Sequence, residues 1–417
     1  MKIKKTKFFY GYIIVVAGFI IQMAMVSTYF TYGIFFEPVS TEFGWSRTVL
    51  PGAHALSEFV LGFLAIAAGG LTDRFGPRII IVTCAFFLGI GYLLMSQINT
   101  IWHLYLFFGV IVGIGMSGCM APMTSTIARW FVRRRGMMTG IVLSSASVGT
   151  IIMAPLARWF ISTYGWRTSY IIVGIIVLVF IIAAAQFLRR DPGKMGLLPD
   201  GDTEVKVESL DLPAKDLSLS QTIRTRQFWM ICTIGFCTAF CSFVVMIHIV
   251  LHGTGLGMSA ASAANIIAII GGAGLAGTLM MGIIADRIGY KLAYTICFTL
   301  GSVAFLWLLA AEEAWMLYLF AVILGLANGG SRTVMTPMAA RLFGLGSLGT
   351  IMGCNHFSAT IGAAIGPLLA GVIFDITNSY QYAWLICGAL MVICIIISLL
   401  LKPIPGRGGT DNLGRSL

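Results

Sequence analysis

Long apolar runs make up most of the sequence, and short charged or turn-rich breaks separate them. A helix needs about 20 mainly apolar residues to cross the hydrocarbon core of a bilayer. Twelve runs approach or exceed this length, at 8–36, 48–71, 79–97, 101–128, 137–161, 168–188, 227–252, 260–284, 292–310, 315–340, 348–372 and 382–401. Only 10% of the residues are charged, whereas a typical soluble domain has about 25%. The sequence therefore predicts an all-α membrane protein with twelve transmembrane helices and excludes an ordinary soluble enzyme.

A polar stretch at 189–226 divides the predicted helices into two sets of six. It holds seven of the 16 acidic residues of the chain. We predict an N-terminal six-helix bundle at 1–188, a linker at 189–226, a C-terminal six-helix bundle at 227–401 and a tail at 402–417.

The formal net charge of +11 comes from basic residues in the breaks between the helices. With the N-terminus inside the cell, the inside segments hold 23 of the 27 lysines and arginines. These segments are 1–7, 72–78, 129–136, 189–226, 285–291, 341–347 and 402–417. Cytoplasmic loops of membrane proteins carry such an excess. We therefore predict a cytoplasmic (inner) membrane protein with both termini and the linker in the cytoplasm, whose basic residues orient it in the bilayer and bind no nucleic acid.

The nine cysteines lie almost wholly inside apolar runs, and none forms a Cys-x-x-Cys pair. They are typical of small buried hydrophobic residues. The sequence also contains no phosphate-binding loop of the GxxxxGK[ST] form. It therefore predicts no metal site, no cofactor and no ATP-driven pumping.

One short motif occurs twice, between the second and third predicted helix of each half. The copies, 213 residues apart, are Gly69-x3-Asp73-Arg74-x-Gly76-x-Arg78 and Gly282-x3-Asp286-Arg287-x-Gly289-x-Lys291. This repeat indicates a parallel duplication of a six-helix unit. Glycine permits a tight turn, aspartate can accept hydrogen bonds from helix-end amides, and arginine can pair with carboxylates or carbonyls across the interface between the halves. The residues predicted to act in conformational gating are Asp73, Arg74, Gly76, Asp286, Arg287 and Gly289.

The two motifs resemble the loop signature of the major facilitator superfamily. The resemblance implies the major facilitator fold, in which two six-helix bundles rock about a cavity near the membrane midplane. Other segments resemble one branch, the bacterial monocarboxylate-transporter-like and oxalate/formate-antiporter-like proteins, and this branch implies a small organic anion as cargo. These segments are Phe9-Tyr10-Gly11-Tyr12, Tyr32-Gly33-Ile34-Phe35-Phe36, Phe43-Gly44-Trp45-Ser46-Arg47, Ala128-Arg129-Trp130-Phe131, Arg133-Arg134-Arg135-Gly136, Tyr164-Gly165-Trp166-Arg167, Met195-Gly196-Leu197-Leu198-Pro199 and His248-Ile249-Val250.

The chain departs from this branch in the eighth predicted helix. Such transporters usually carry a Gly-Arg pair there, ahead of the second motif, and an acid or amide often lies four residues earlier. This chain has Gly277-Thr278, and Gly274 stands four residues before Thr278. Thr278 is a candidate substrate-binding residue in the place of the arginine, which also keeps open a neutral or amphipathic cargo.

Glu58 is the only acidic residue clearly inside a predicted span. Ionisable residues in a span are costly and often functional. His54 precedes Glu58 by four residues and therefore shares its helix face. The pair is a candidate for proton coupling near physiological pH. The alternative is a buried His–Glu pair that holds the second helix against a neighbour.

Arg332 is the only arginine in the interior of a predicted span, and Asn328 lies four residues before it in the tenth helix. A planar, permanently charged guanidinium suits a carboxylate, so both are candidates for substrate binding, with Arg332 replacing the arginine missing from the eighth helix. The alternative is an arginine that pairs with backbone carbonyls. Asn355 and His356, in the eleventh helix at a similar depth, are further candidates for binding the anion or a proton.

Three more residues are candidates for the cavity wall. Tyr29 and Tyr32 lie late in the first helix, where their hydroxyls can bind cargo or, alternatively, belong to an interfacial aromatic belt. Cys119 lies in the fourth helix, where it is predicted to shape the wall of the cavity.

These features predict a transporter and not an enzyme. The expected activity is alternating-access transport of a small organic anion, most simply a monocarboxylate, together with protons, by a monomer in the lipid bilayer. Exchange of one anion for another and efflux of a neutral or amphipathic compound are the alternatives within transport. A sensor on a transporter scaffold is a remote alternative.

Overall fold

The computed structural model describes residues 9–45, 49–201 and 217–402, and this part of the chain is helical without a strand. It has eleven helices long and apolar enough to cross a membrane. One of them, Arg135–Ala185, has 51 residues, so as a straight helix it would be about 75 Å long, far more than a bilayer core of ~30 Å. Gly165 divides it, because a φ of +75° with a ψ of 162° is open essentially to glycine alone. The described chain therefore has the predicted twelve spans.

We number the spans α1–α12 in chain order. The first six are α1 Gly11–Phe30, which continues as Tyr32–Phe43, then α2 Val49–Phe75, α3 Pro77–Met95, α4 Ile101–Trp130, and α5 and α6, which are residues 135–164 and 166–185 of Arg135–Ala185. The last six are α7 Arg226–Gly255, α8 Ala260–Ile288, α9 Tyr290–Leu309, α10 Ala314–Phe343, α11 Leu348–Thr377 and α12 Gln381–Leu400. A short helix, Leu219–Ile223, precedes α7 and begins with a capping box at Ser218.

Buried apolar side chains form two clusters, one for each set of six helices. The first includes Phe108 and Trp130, and the second includes Phe298 and Trp384. Other large apolar side chains are exposed on the helix surfaces, with Ile376 at 76%. Contiguous exposed apolar surface of this kind marks contact with lipid or a partner, and the length of the helices indicates lipid.

The fourth span is not the continuous α-helix that the sequence predicts. It contains a π-helical stretch, Tyr105–Val112, and is interrupted at residues 117–119 before it resumes as Met120–Trp130. Pro122 lacks an N–H, and its ring collides with the carbonyl of Gly118 in a regular helix. The interruption therefore follows from this proline, with the backbone freedom of Gly118 contributing.

The two bundles meet along two seams, α2 against α11 and α5 against α8. Glycines allow the backbones to touch: a Cβ on Gly69 would lie 2.1 Å from the carbonyl oxygen of Gly349, and one on Gly136 would lie 2.6 Å from that of Gly282. These contacts lie at the end of the molecule formed by the loops near residues 76, 132, 289 and 345. We call this end the basic face.

Candidate functional site

The guanidinium of Arg332 lies in the interior of α10 and is nevertheless accessible. Its neighbours Ser331 and Thr333 are buried. The Arg332 side chain is surrounded by protein, yet solvent can reach it. Among the described residues, no carboxylate lies within ion-pair distance of it and no backbone carbonyl pairs with it. Arg332 is therefore accessible although it lies deep within a span, where a charge that faces lipid is costly.

Two other predicted residues lie beside Arg332. His356 of α11 is half-buried and lies close enough to Arg332 to interact with it electrostatically. The helices α10 and α11 are therefore close at this point. Asn328 lies one turn before Arg332 on the same face of α10 and is also half-buried. In contrast, Asn355 turns away: it is buried, and its Nδ2 donates to the Ile231 carbonyl at 2.9 Å. Asn355 therefore fastens α11 to α7 within the C-terminal bundle.

The half-buried carboxyl of Glu58 faces Tyr29 rather than His54. The Tyr29 hydroxyl lies near both Ser57 and Glu58. No ion pair joins His54 and Glu58 among the described residues, so the expected side-chain pairing is not formed in this structure, and the role of the two residues in proton coupling stays a prediction. His54 instead lies in an aromatic cluster, with its ring centre 5.0 Å from that of Tyr29 and 6.0 Å from that of Phe108.

Tyr29 and Tyr32 belong to the core of the N-terminal bundle and not to an accessible wall. Their exposed fractions are 2% and 6%. The Tyr32 ring stacks on Phe108 with the ring centres 3.8 Å apart. The Tyr29 hydroxyl faces the Glu58 carboxyl, and the Tyr32 ring also lies beside His54, with the ring centres 5.8 Å apart.

Cys119 is likewise part of a buried contact between α1 and α4. Its thiol donates to Oε1 of Gln22 at 3.2 Å, and Nε2 of Gln22 donates to the sulfur of Met120 at 2.9 Å. Gln22 is 1% exposed. Sequence reasoning missed Gln22, although a lone amide inside an apolar run signals a side chain that needs a partner. Cys119 therefore satisfies a buried amide and is not free for cargo.

Thr278 lies where α8 packs on α10 and α5. Its hydroxyl donates to the Gly274 carbonyl at 2.8 Å, and its own carbonyl accepts a bond from Thr333 at 3.2 Å. A Cβ on Gly140 of α5 would lie 2.7 Å from the same carbonyl oxygen. The residue that replaces the usual arginine is thus occupied in helix packing rather than facing the space beside Arg332.

The α2–α11 seam connects Glu58 with His356. A Cβ on Gly62 would lie 2.5 Å from Oγ1 of Thr360, so the helices touch there. Glu58 lies one turn from Gly62, and His356 lies one turn from Thr360, towards the basic face. The two groups are separated by about 12 Å along the seam at 1.5 Å per residue.

Asp73 caps a helix of the opposite bundle. It lies in the last turn of α2, which extends beyond its predicted end at residue 71. Its carboxylate accepts hydrogen bonds from the amides of Gly349 at 3.2 Å and Thr350 at 3.0 Å, at the first turn of α11. Arg129 of α4 pairs with the same carboxylate at 3.0 Å. A carboxylate at a helix N-terminus is favoured by the helix dipole.

Asp286 repeats this arrangement in the second seam. It lies in the last turn of α8 and accepts bonds from the amides of Gly136 at 2.8 Å and Met137 at 2.9 Å, at the first turn of α5. Tyr290 donates to Asp286 at 2.9 Å, where Asp73 has Arg129. The duplicated aspartates therefore join the bundles at the basic face, as the sequence analysis expects of helix-end amides.

The arginines of the repeated motif do not pair across the interface as predicted. Arg74 is exposed and lies over the Phe75 ring, 5.2 Å from its centre, and Arg287 is exposed without an ion pair in the described chain. Arg129 takes the cross-interface role, since it also donates to the Leu345 carbonyl of the C-terminal bundle.

The glycines of the motif do form the predicted tight turns. Gly76 and Gly289 both have a φ of +89°, a conformation that a side chain resists. The two copies therefore share one backbone geometry as well as one sequence pattern.

At the opposite face, Glu42 ties three helix ends together. Its carboxylate accepts bonds from Trp166 at 2.6 Å and from Arg167, and Arg167 also donates to the Ile98 carbonyl at 3.2 Å. The hydrogen bonds from Arg167 and then Trp166 hold the pKa of Glu42 below its ordinary value. Sequence reasoning missed this cluster, although Trp166 and Arg167 lie in a segment singled out by the resemblance.

A family model described as Major Facilitator Superfamily matches residues 17–281 and 255–416. The chain belongs to the major facilitator superfamily. Among its relatives, monocarboxylate transporter 12 of Rattus norvegicus is 23% identical over 410 residues, which cover 93% of this chain and 84% of the relative. The Escherichia coli protein named uncharacterized MFS-type transporter YhjX is 24% identical over 349 residues, covering 83% of this chain and 84% of the relative.

Solved structures of the superfamily share the fold. The proton:xylose symporter XylE superposes with a TM-score of 0.74 at 15% identity, covering 94% of this chain and 95% of that one. FucP, in the outward conformation, superposes with a TM-score of 0.72 at 16% identity, covering 93% and 97%. This major facilitator protein is therefore a transporter and not an enzyme, as predicted.

Proposed function

We propose that this transporter moves a small organic anion, most simply a monocarboxylate, together with a proton across the cytoplasmic membrane. Relatives named monocarboxylate transporters cover 93% of the chain at 22–23% identity, and solved structures with the same fold include proton symporters. The chain contains both bundles, so a monomer suffices. The basic face, at which the described chain begins and ends, lies in the cytoplasm because the loops there carry the positive charge.

The observation that carries the proposal is the unpaired guanidinium of Arg332. A charge inside a membrane protein is stable only with a counter-charge or water. Arg332 is accessible, has no carboxylate partner among the described residues and has His356 beside it. A guanidinium binds a carboxylate through two parallel hydrogen bonds, so a cargo carboxylate completes the site.

Charge balance supports coupling to a proton. Of the side chains that ordinarily carry a charge at neutral pH, each bundle brings one to the middle of its spans, Glu58 on α2 and Arg332 on α10. With the site empty, an ionised Glu58 balances Arg332. With an anion bound, the balance returns only when Glu58 is protonated. Moving net charge through a low-dielectric barrier is costly, so the empty and the doubly loaded forms change conformation more readily than the half-loaded forms.

Alternating access requires the seams to open at the basic face. The hydrogen bonds of Asp73 and Asp286 close that face in this structure. Since each caps a helix of the opposite bundle, both are broken when the bundles part. The two copies of the motif thus form two sets of hydrogen bonds that break when the basic face opens. We assign Gly76 and Gly289 to the turns that position Asp73 and Asp286.

Arg332→Lys and Arg332→Gln test the anion site. The assay is counterflow of a labelled monocarboxylate in proteoliposomes, with Arg158→Gln, an exposed arginine of α5, as the matched control. We expect affinity to fall about tenfold or more in both Arg332 variants, because lysine lacks the bidentate geometry, and to stay unchanged in the control. Unchanged affinity in Arg332→Gln refutes the anion site.

Glu58→Gln tests coupling. Glutamine resembles the protonated acid, so we expect uptake driven by a pH gradient to be lost while exchange of labelled for unlabelled anion persists. Wild-type uptake that requires an opposing anion and ignores a collapsed pH gradient would instead indicate anion exchange.

A further inference from the structure

Arg135, at the start of α5, is a buried arginine with an unsatisfied donor. It is 3% exposed, and its Nε donates to the carbonyls of Ala128 at 3.1 Å and Phe131 at 3.0 Å. Its Nη2 is buried and has no acceptor among the described residues. An unpaired buried donor on a charged group is costly, so this nitrogen is the one part of the Arg135 site that the closed structure leaves unstable.

Three groups interact electrostatically with Arg135: Tyr290 of the C-terminal bundle, Asp200 of the linker and, more weakly, Asp286 of the C-terminal bundle. Asp286 uses its oxygens on the first-turn amides of α5. Asp200 uses Oδ2 on the amides of Val132 and Arg133, both at 2.9 Å, whereas its Oδ1 is buried and has no partner among the described residues. A complementary donor and acceptor therefore lie in the same region without bonding to each other.

Asp200 is fixed to the N-terminal bundle. The segment Pro199–Gly201 packs against α1 and α4, and Asp200 adopts a left-handed backbone with a φ of +57° that turns its carboxylate onto the α4–α5 loop. When the bundles part at the basic face, Asp286 leaves with α8, whereas Asp200 stays beside Arg135.

We propose that Asp200 becomes the only carboxylate counter-ion of Arg135 when the basic face opens, through a bond between Arg135 Nη2 and Asp200 Oδ1. In the closed form Asp286, from across the seam, shares the compensation of the buried charge with Asp200. In the open form the linker compensates it from within the bundle. Without Asp200, opening would leave Arg135 buried with no carboxylate, so the linker stabilises the open form specifically. This inference rests on alternating access and is independent of the cargo and of proton coupling.

Hydrogen exchange of the full-length protein in lipid nanodiscs tests this role without any substrate. The reporters are the amides of Gly349 and Thr350 in the other seam, which exchange when the basic face opens. Asp200→Asn keeps an oxygen for the Val132 and Arg133 amides and removes the charge. We expect it to slow reporter exchange about tenfold, and Asp286→Asn to accelerate it. Lys194→Gln, an exposed linker change, is the inert control.

Asp200→Asn and Asp286→Asn are expected to change reporter exchange in opposite directions. This distinguishes the proposed role of Asp200 from a general loosening of the basic face, which would accelerate exchange in both variants. If Asp200→Asn leaves reporter exchange unchanged or accelerates it, the proposal is wrong. A second test is the double variant Asp200→Asn with Arg135→Gln. Because no buried charge then needs a counter-ion, the slowing caused by Asp200→Asn should vanish, and its persistence would also overturn the proposal. Neither result depends on whether the cargo is an anion.

Discussion

Asp73→Asn should release the closed form at the basic face. The Asp73 carboxylate accepts bonds from the Gly349 amide at 3.2 Å and from the amide and hydroxyl of Thr350 at 3.0 and 3.2 Å, and it pairs with Arg129 at 3.0 Å. A hydrogen bond to a charged group contributes about 1.5–3 kcal/mol, and a charge at a helix N-terminus adds up to ~1 kcal/mol. Asparagine keeps one acceptor oxygen and loses the charge.

We therefore expect the closed form to lose about 2–3 kcal/mol, which is roughly a 30- to 150-fold shift towards the open form. The assay is hydrogen exchange at the Gly136 and Met137 amides, which Asp286 holds in the other seam, so that the mutated site is not its own reporter. Asp375→Asn, an exposed acid on α11, removes the same charge and should leave this exchange unchanged. If Asp73→Asn also leaves it unchanged, the seams open independently and the reasoning fails.

Three further predictions concern sites away from the cavity. Gly165→Ala should lower the Tm by imposing about 1–3 kcal/mol of backbone strain, whereas Gly271→Ala, in open space within α8, should not. Cys119→Ala should lower the free energy of unfolding by about 1–3 kcal/mol because it leaves the Gln22 oxygen unpaired, and Cys119→Ser should restore it. Anion affinity should be unchanged in both variants, and altered affinity would show that Cys119 contacts the cargo after all. Because the pKa of Glu42 is lowered, its bonds stabilise the protein above the ordinary pKa of about 4.3 and are lost as the pH falls towards the folded value. The Tm of the wild type should fall across that window while that of Glu42→Gln stays flat, and parallel curves would contradict this assignment.

Sequence reasoning predicted the fold well because its signals are local and strong. The need for about 20 apolar residues per span identified all twelve helices, and the repeated motif identified the duplication and the turns at Gly76 and Gly289. It also predicted that the aspartates bind helix-end amides. What it did not identify is the helix that supplies those amides, since contacts of Asp73 with Gly349 join residues far apart in the chain.

The site was less predictable because side-chain direction decides it. Spacing places His54 and Glu58 on one helix face, yet the His54 ring packs on aromatic residues and Glu58 turns to Tyr29. Cys119 and Thr278 are predicted to face the cavity or the cargo, but each contacts a neighbouring helix. Periodicity gives the position of a residue on its helix, whereas the choice between a cavity and a packing contact depends on the partner helix.

The duplication is symmetric at the basic face and asymmetric in the interior, and this difference has a mechanical consequence. The contacts of Asp73 and Asp286 are equivalent, since each aspartate lies in the last turn of one helix and caps the first turn of a helix in the other bundle. The interior charges are not duplicated: the acid, Glu58, belongs to the N-terminal bundle and the arginine, Arg332, to the C-terminal bundle. Opening the seams moves these two charges relative to each other. The electrostatic interaction between Glu58 and Arg332 therefore changes in the same motion that breaks the hydrogen bonds of Asp73 and Asp286. Under the proposed function, an anion at Arg332 and a proton at Glu58 would act on opposite bundles and bias the same opening, which is the physical requirement for coupling their transport.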